Sequence, residues 1–282
     1  MINNKNIIKT LIMVIIRLVL GFYTILVVYP FLWSIFSSFK TSREFLLTPL
    51  ALPTSLNFEN YINAFKQAKM ANYFLNSIVV TSVALVINLF ISLTSAYAIT
   101  RFINFYTRTI KRLYLAAFMT PAIIGVIPLF FLLQRLHLLD STVGLIVIYV
   151  MYSIPFAVFV MMGFMISMSR EYEEAAFIDG CSRYGILFKI IIPMSQPALV
   201  TTAVFGFISY WNEYVYAFTF ISTDSKKTLP VGIVNLMARA TYHTDYGAMF
   251  AGLVVVMIPS LIFYMLLQKK ITSGLTTGGV KM

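Results

Sequence analysis

Long apolar runs separated by short polar ones dominate this chain. Six stretches, roughly 12–36, 73–99, 112–134, 142–167, 198–221 and 248–267, each offer about twenty or more mainly apolar residues, enough to cross ~30 Å of hydrocarbon as helix. Helices are expected because backbone groups in lipid must be satisfied within the segment, and the alternation of a β-barrel strand is absent. Pro30, Pro121, Pro128, Pro155 and Pro259 fall inside these spans. Neighbouring helices can satisfy the carbonyls they free, so bends in a packed bundle and a path built from bent helices both remain open.

The polar stretches differ in kind. In 37–72, Phe58, Tyr61, Ile62 and Phe65 recur at helical spacing and predict a short amphipathic helix. The stretch 222–247, with "STDSKKTLP" and "ARATYHTDYG", reads as a long polar loop. The third, "EYEEAAFIDGCSRYGILFKIIIPMSQPAL" from Glu171 to Leu199, holds four of the ten acids of the chain, so charge is concentrated in one internal connection. Ser169 is positioned as an N-cap, acids follow in the first turn, and Gly180 stands where a helix would end left-handed. "SRYGILFKIII" predicts a second helix stopping before Pro193, and Pro197 suits the first turn of the fifth span. The pair is a helix–turn–helix at the membrane surface, in which Ala175 and Ala176 keep the first helix narrow. A solvated surface helix is the competing account of its acids.

Composition agrees with the bilayer as solvent: 60% of residues are hydrophobic and 11% charged. The formal charge of +11 does not point to nucleic acid, because Lys and Arg lie between the spans. Lys5, Lys9, Arg17, Arg101, Arg108, Lys111, Arg112, Arg170, Arg183, Lys189, Lys269, Lys270 and Lys281 fall on one side, which places both termini and 168–197 in the cytoplasm. The first apolar run is too long for a secretory leader and is expected to be retained.

Catalytic chemistry has little support. Cys181 is the single cysteine, His137 and His243 are far apart, and neither a metal-ligand spacing nor HExxH, GxSxG or GxxxxGK[ST] occurs. An intramembrane enzyme therefore has no motif to rest on, an ion-coupled carrier would work alone and leave the acid-rich connection without a role, and the chain has no phosphate loop of its own for ATP. Glu213 is the one acid expected within a span, beside Tyr210, Trp211, Asn212 and Tyr214. Aromatic faces with amide and carboxylate groups suit sugar hydroxyls and C–H faces. An interfacial aromatic belt, or a hydrogen bond to a neighbouring helix, accounts for the same residues. Asn88 and Ser92 share a helix face and suit inter-helix hydrogen bonding.

Glu174-Ala175-Ala176, Gly180, Ile190 and Ile192-Pro193 resemble the "EAA" signature of membrane subunits of bacterial ABC importers, in its carbohydrate branch. "SSFKTSREF", "NSIVVTS", "AYAITRF", "WNEY" and "GLTTGGVKM" resemble the same family, and the last is similar to the end of the smaller, six-helix permease of maltose-type importers. Ser169 where that family has proline, Cys181 for alanine, Ile192 for leucine and Met282 for glycine depart from the pattern.

The resemblance implies an all-α integral membrane protein with six transmembrane helices, a type I ABC importer permease forming a single domain over 1–282. Its 168–197 loop would carry a coupling helix. Glu174, Ala175, Ala176, Asp179 and Gly180 would dock a cytoplasmic ATPase, with Glu174 meeting a basic residue there. The expected partners are a second permease, two copies of the ATPase and an extracytoplasmic solute-binding protein. ATP and Mg would sit on the ATPase, with no cofactor in this chain. The cargo implied is a sugar or oligosaccharide, with a solute such as glycerol phosphate as the alternative. Asn88, Tyr210, Trp211, Asn212 and Glu213 are candidates for the substrate path. Asn235, Arg239, Thr241, Tyr242 and His243 are candidates for contact with the binding protein.

Overall fold

The structure, a computed structural model, describes residues 4–67, 69–243 and 245–279, and among these it is helical without strands. In chain order the helices are α1 (Asn4–Ser37), α2 (Ser42–Leu47), α3 (Glu59–Gln67), α4 (Met70–Arg101), α5 (Phe105–Met119), α6 (Val126–Arg135) and α7 (Thr142–Ser167). There follow α8 (Glu171–Ile178), α9 (Arg183–Ile186), α10 (Ile192–Met194), α11 (Gln196–Trp211), α12 (Val215–Phe220), α13 (Leu229–His243) and α14 (Tyr246–Gly279). A π turn over Leu187–Ile191 joins α9 to α10.

Among the described residues, four helical segments are long and apolar enough to cross a membrane by themselves: Lys9–Ser37, Met70–Arg101, Thr142–Ser167 and Tyr246–Gln268. Two bent pairs raise the total to as many as six. The stretch expected as one span over 112–134 is instead α5 and the Ile123–Arg135 segment, meeting at 93°. Pro121 stands at the break in an extended conformation. The fifth stretch, expected as one helix over 198–221, ends at Trp211 and resumes at Val215. Before it, Arg183–Met194 meets α11 at 69°. The helix expected to stop before Pro193 runs through it. Proline lacks the N–H of an ordinary turn and its ring crowds the carbonyl four residues back. Here the preceding turn widens, with the Ile192 N–H reaching back five residues to the Leu187 carbonyl. Pro197 does lie in the first turn of α11.

By its internal contacts the chain divides into two compact units. One comprises Met1–Ala68 and Ile233–Val256. Within it Phe45 packs on Tyr246 and Phe250 at ring distances of 5.2 and 4.9 Å, and Trp33 meets Phe250 edge-on at 5.2 Å. Lys40 is fully buried and donates to the carbonyls of Thr48 and Pro49, which exchanges its hydration for fixed dipoles. Asn60 Nδ2 ties α3 down by donating to the carbonyls of Ser38 and Lys40, both at 2.8 Å. The predicted amphipathic helix is α3. Its buried face carries Asn60 and Ala64, whereas Phe58, Ile62 and Phe65 stay exposed. Gly247 lies so close that a Cβ there would stand 2.5 Å from Asn60 Oδ1.

The other unit, Lys69–Gly232 and Met257–Met282, is built on α4, α7 and α11. One cluster of its core gathers Val80, Ala84, Leu145, Ile148 and Tyr149; the other gathers Leu93, Ala96, Met161, Met165 and Ile191. A polar clasp closes one end. Asn76 Nδ2 donates to the carbonyls of Ser225 and Lys227, Tyr73 donates to Asp224 at 2.8 Å, and Asp224 pairs with Lys69 at 3.1 Å. Asp140 accepts the backbone N–H groups of Ser222 and Thr223. The region read as a polar loop over 222–247 is therefore a short clasped segment followed by a helix, α13, with Leu229, Val231, Ile233 and Leu236 buried.

Candidate functional site

At the opposite end of α4 and α7 from the clasp stands the acid-rich α8. Arg170 carries helical angles at its start, and Ser169 Oγ accepts the Glu171 N–H at 3.2 Å, so the serine serves the first turn from one residue further out than expected. Glu171, Glu173 and Glu174 fill that turn, where carboxylates suit the free N–H groups. The helix ends as Gly180 adopts φ +81°. Cys181 N–H reaches the Ala176 carbonyl and Gly180 N–H the Phe177 carbonyl, the paired bonds of a Schellman ending. Ser182 Oγ then accepts the Gly185 N–H and starts α9.

The acids of α8 divide into two roles. Glu173 faces inward: Arg101 Nε donates to its Oε1 at 2.5 Å and Tyr97 OH to its Oε2 at 3.1 Å. The two charged side chains retain only 8% and 14% exposure. Arg101 also donates to the Met168 carbonyl, and Arg170 to the Thr100 carbonyl, so α4 is stapled to the α7–α8 turn. Glu174, Ala175, Asp179 and Gly180 are exposed, while Ala176 turns into the core beside Met165 and Ile186. Of the two alanines read as one narrow face, only Ala175 is presented outward. Tyr172, Phe177, Ile178 and Tyr184 are also exposed, giving this end apolar as well as acidic surface. A cleft of about 390 Å³ opens beside α8, bounded in part by Tyr97, Glu173, Glu174 and Phe177.

A second constellation lies inside the helices. Asn88 Nδ2 donates to Ser153 Oγ at 2.9 Å, Ser153 is bonded to Tyr210 OH, and the rings of Tyr149 and Tyr210 stack at 5.5 Å. Tyr149 OH donates to Glu213 Oε2 at 2.8 Å, and Tyr152 bonds Ser209 at 2.8 Å. Glu213 accepts the backbone N–H groups of Tyr216 and Ala217, closing the first turn of α12. The acid expected at membrane depth thus sits where the helix is interrupted and uses the donors that the interruption frees. Asn88, Tyr210 and Glu213 belong to this network. Trp211 is buried with its ring against Phe74 and Phe207. Asn212 donates to the Ile208 carbonyl of its own helix. Ser92 Oγ is buried without a hydrogen-bond partner among the described residues, so only Asn88 of that pair bonds across helices. Tyr149, Tyr152 and Ser153 were missed from sequence.

Beside this network a cavity of about 320 Å³ is lined in part by Thr120, Leu129, Met151, Tyr152 and Tyr216. Asn235 is partly exposed on α13. The side chains of Arg239, Thr241, Tyr242 and His243 lie outside the described residues.

Residues 88–276 match the family of binding-protein-dependent transport system inner membrane components. The chain belongs to that family. It is a transport subunit rather than an enzyme, a multi-pass protein of the cytoplasmic membrane and a component of a binding-protein-dependent ABC importer. It is similar to the probable ABC transporter permease YurM of Bacillus subtilis, 36% identical over 259 residues, covering 92% of this chain and 85% of the relative. It is also similar to the diacetylchitobiose uptake permease NgcG of Streptomyces coelicolor, 34% identical over 256 residues, with 91% and 85% covered. The galactooligosaccharide permease GanQ of B. subtilis is 32% identical over 267 residues, with 94% of each chain covered. The fold is shared with a bacterial ABC transporter that imports the acidic polysaccharide alginate: TM-score 0.81, 24% identity, 93% of this chain and 96% of that one.

Proposed function

We propose that this chain is a six-span permease subunit importing a sugar or oligosaccharide by alternating access. It works with a second permease, two copies of a cytoplasmic ATPase that hold ATP and Mg, and an extracytoplasmic solute-binding protein. Both termini and α8 face the cytoplasm. The observation that carries the reading is the division of labour on α8. Glu173 is spent on Arg101, while Glu174, Ala175, Asp179 and Gly180 are free to enter a partner's groove. An acid clear of internal partners suits a basic residue across an interface.

The sugar reading is supported by the relatives' cargo and by chemistry. The cavity beside Tyr152 and Tyr216 offers aromatic faces and the Thr120 hydroxyl, with no Lys or Arg in its lining. Such a lining suits a neutral sugar better than glycerol phosphate, which wants fixed cations. On this reading Asn88, Tyr210 and Glu213 brace the path from behind, with Trp211 and Asn212 supporting the helix break. Asn235, Arg239, Thr241, Tyr242 and His243 of α13 meet the loaded binding protein.

The test is the purified complex with its ATPase activity followed against a panel of loaded binding proteins. Mono- and oligosaccharides should stimulate hydrolysis, and Glu174→Lys should abolish stimulation while the permease still inserts. Stimulation by a non-sugar solute alone would refute the cargo. Full stimulation and uptake with Glu174→Lys would refute the coupling role.

A further inference from the structure

A cavity of about 470 Å³ opens where α4 ends, α5 begins and α7 ends. Its volume is in the range of ligand sites. Arg101, Arg108, Lys111 and Arg170 line it, no acid does, and Ile103 and Ile166 form part of an apolar wall. Arg101 is neutralised by Glu173 on α8. Among the described residues, Arg108, Lys111 and Arg170 have no carboxylate within ion-pair distance. Arg108 and Lys111 are three apart on α5 and project from one face. Three uncompensated cations therefore converge on a half-apolar recess at the end of membrane-spanning helices.

We propose that this recess binds an anionic glycerophospholipid, its phosphate held by Arg108, Lys111 and Arg170 and its acyl chains lying along Ile103 and Ile166. A phosphate diester satisfies the cations, and the apolar wall explains why the site is not simply a rim of solvated charge. The occupant would also touch Arg101, the residue that holds α8. The inference rests on the membrane-spanning character of these helices and not on the cargo or the coupling role.

The full-length chain in non-ionic detergent is titrated with phosphatidylglycerol and, in parallel, phosphatidylcholine, and bound lipid is read by native mass spectrometry. Phosphatidylglycerol should be preferred by about tenfold or more, and each removed cation should cost about fivefold, so Arg108→Gln with Lys111→Gln costs about 25-fold. Arg112→Gln, outside the recess, should bind as wild type does. The single variants carry the test if the double variant aggregates. Equal binding of the two lipids, or unchanged phosphatidylglycerol affinity in the variants, would overturn the proposal. The latter would leave the recess to an acidic segment of a partner protein. Displacement of phosphatidylglycerol by millimolar inorganic phosphate would also overturn it, because the site would then hold free phosphate. Retention of the lipid under phosphate supports it.

Discussion

Replacing Glu173 by Gln removes the charge that neutralises Arg101 and keeps the side chain's shape. The pair is 2.5 Å apart and 8% and 14% exposed. Removing one partner of a fully buried pair costs about 3–5 kcal/mol, mostly because the remaining charge is stranded. Two features lower that figure here. The Gln carbonyl can still accept from Arg101, and Arg101 keeps its bond to the Met168 carbonyl. The residual cost is about 2–3 kcal/mol, borne by the closed position of α8. Opening α8 returns Arg101 to solvent, so the opening equilibrium rises about 30- to 150-fold. Hydrogen exchange of the amides in 171–186, on the full chain in detergent, reads this directly. Glu174→Gln should leave exchange within about threefold of wild type, because that side chain is exposed. Arg101→Met with Glu173→Leu should exchange more slowly than Glu173→Gln, since no charge is left buried. Wild-type exchange in Glu173→Gln, or a double variant as fast as the sum of its single changes, would refute the argument.

Gly180→Ala places a side chain at φ +81° with nothing within 4 Å of the new Cβ, so the cost is backbone strain alone, about 1–2 kcal/mol. The same exchange measurement should show faster opening confined to the α8–α9 turn, and a β-branched Val should be worse. The clasp should loosen in acid. The Tyr73 hydrogen bond, with that from Lys69, holds Asp224 down at about 2 from an ordinary 3.8. Asp140 is raised by burial but more than compensated by hydrogen bonds from Thr223 and Ser222, and also lies at about 2. Their folded pKa values are depressed, so the stabilisation is present above the unfolded value and is lost as pH falls from about 4 through about 2. A cysteine introduced at Ser225 should become more reactive towards an acid-tolerant thiol reagent across that window, and constant reactivity would count against the clasp.

The long helices were readable because apolar length alone marks them, and Gly180 because an acid-rich run ending at glycine has one common geometry. Pro121 marked a possible bend, but the apolar length running through 112–134 reads as one span and gives no sign of the 93° break. The break after Trp211 had no such signal: "SYWNEYVYAF" contains neither Gly nor Pro, and the interruption depends on Glu213 taking over the freed backbone donors. Pro193 gave the opposite error, because a widened turn accommodates a residue that ordinarily ends a helix. Arg101 and Glu173 are 72 positions apart, and no local pattern pairs them. Which of Glu173 and Glu174 turns inward depends on that pairing. The helix α13 did carry a start signal, proline in its first turn followed by Ile233, Leu236 and Met237 at helical spacing, but the polar flanks on both sides masked it.

The cross-bonds among Asn88, Ser153, Tyr210, Tyr149 and Glu213, with Tyr152 to Ser209, set a condition on how this protein can move. Sliding α4, α7 or α11 past one another by one turn, about 5.4 Å, would strand several of these groups at once in a low-dielectric interior. Each stranded group costs about 1–3 kcal/mol. The three helices are therefore locked in register and travel as one block. A switch of access of the kind proposed above would keep these bonds only by moving the three helices together, never by sliding one past another.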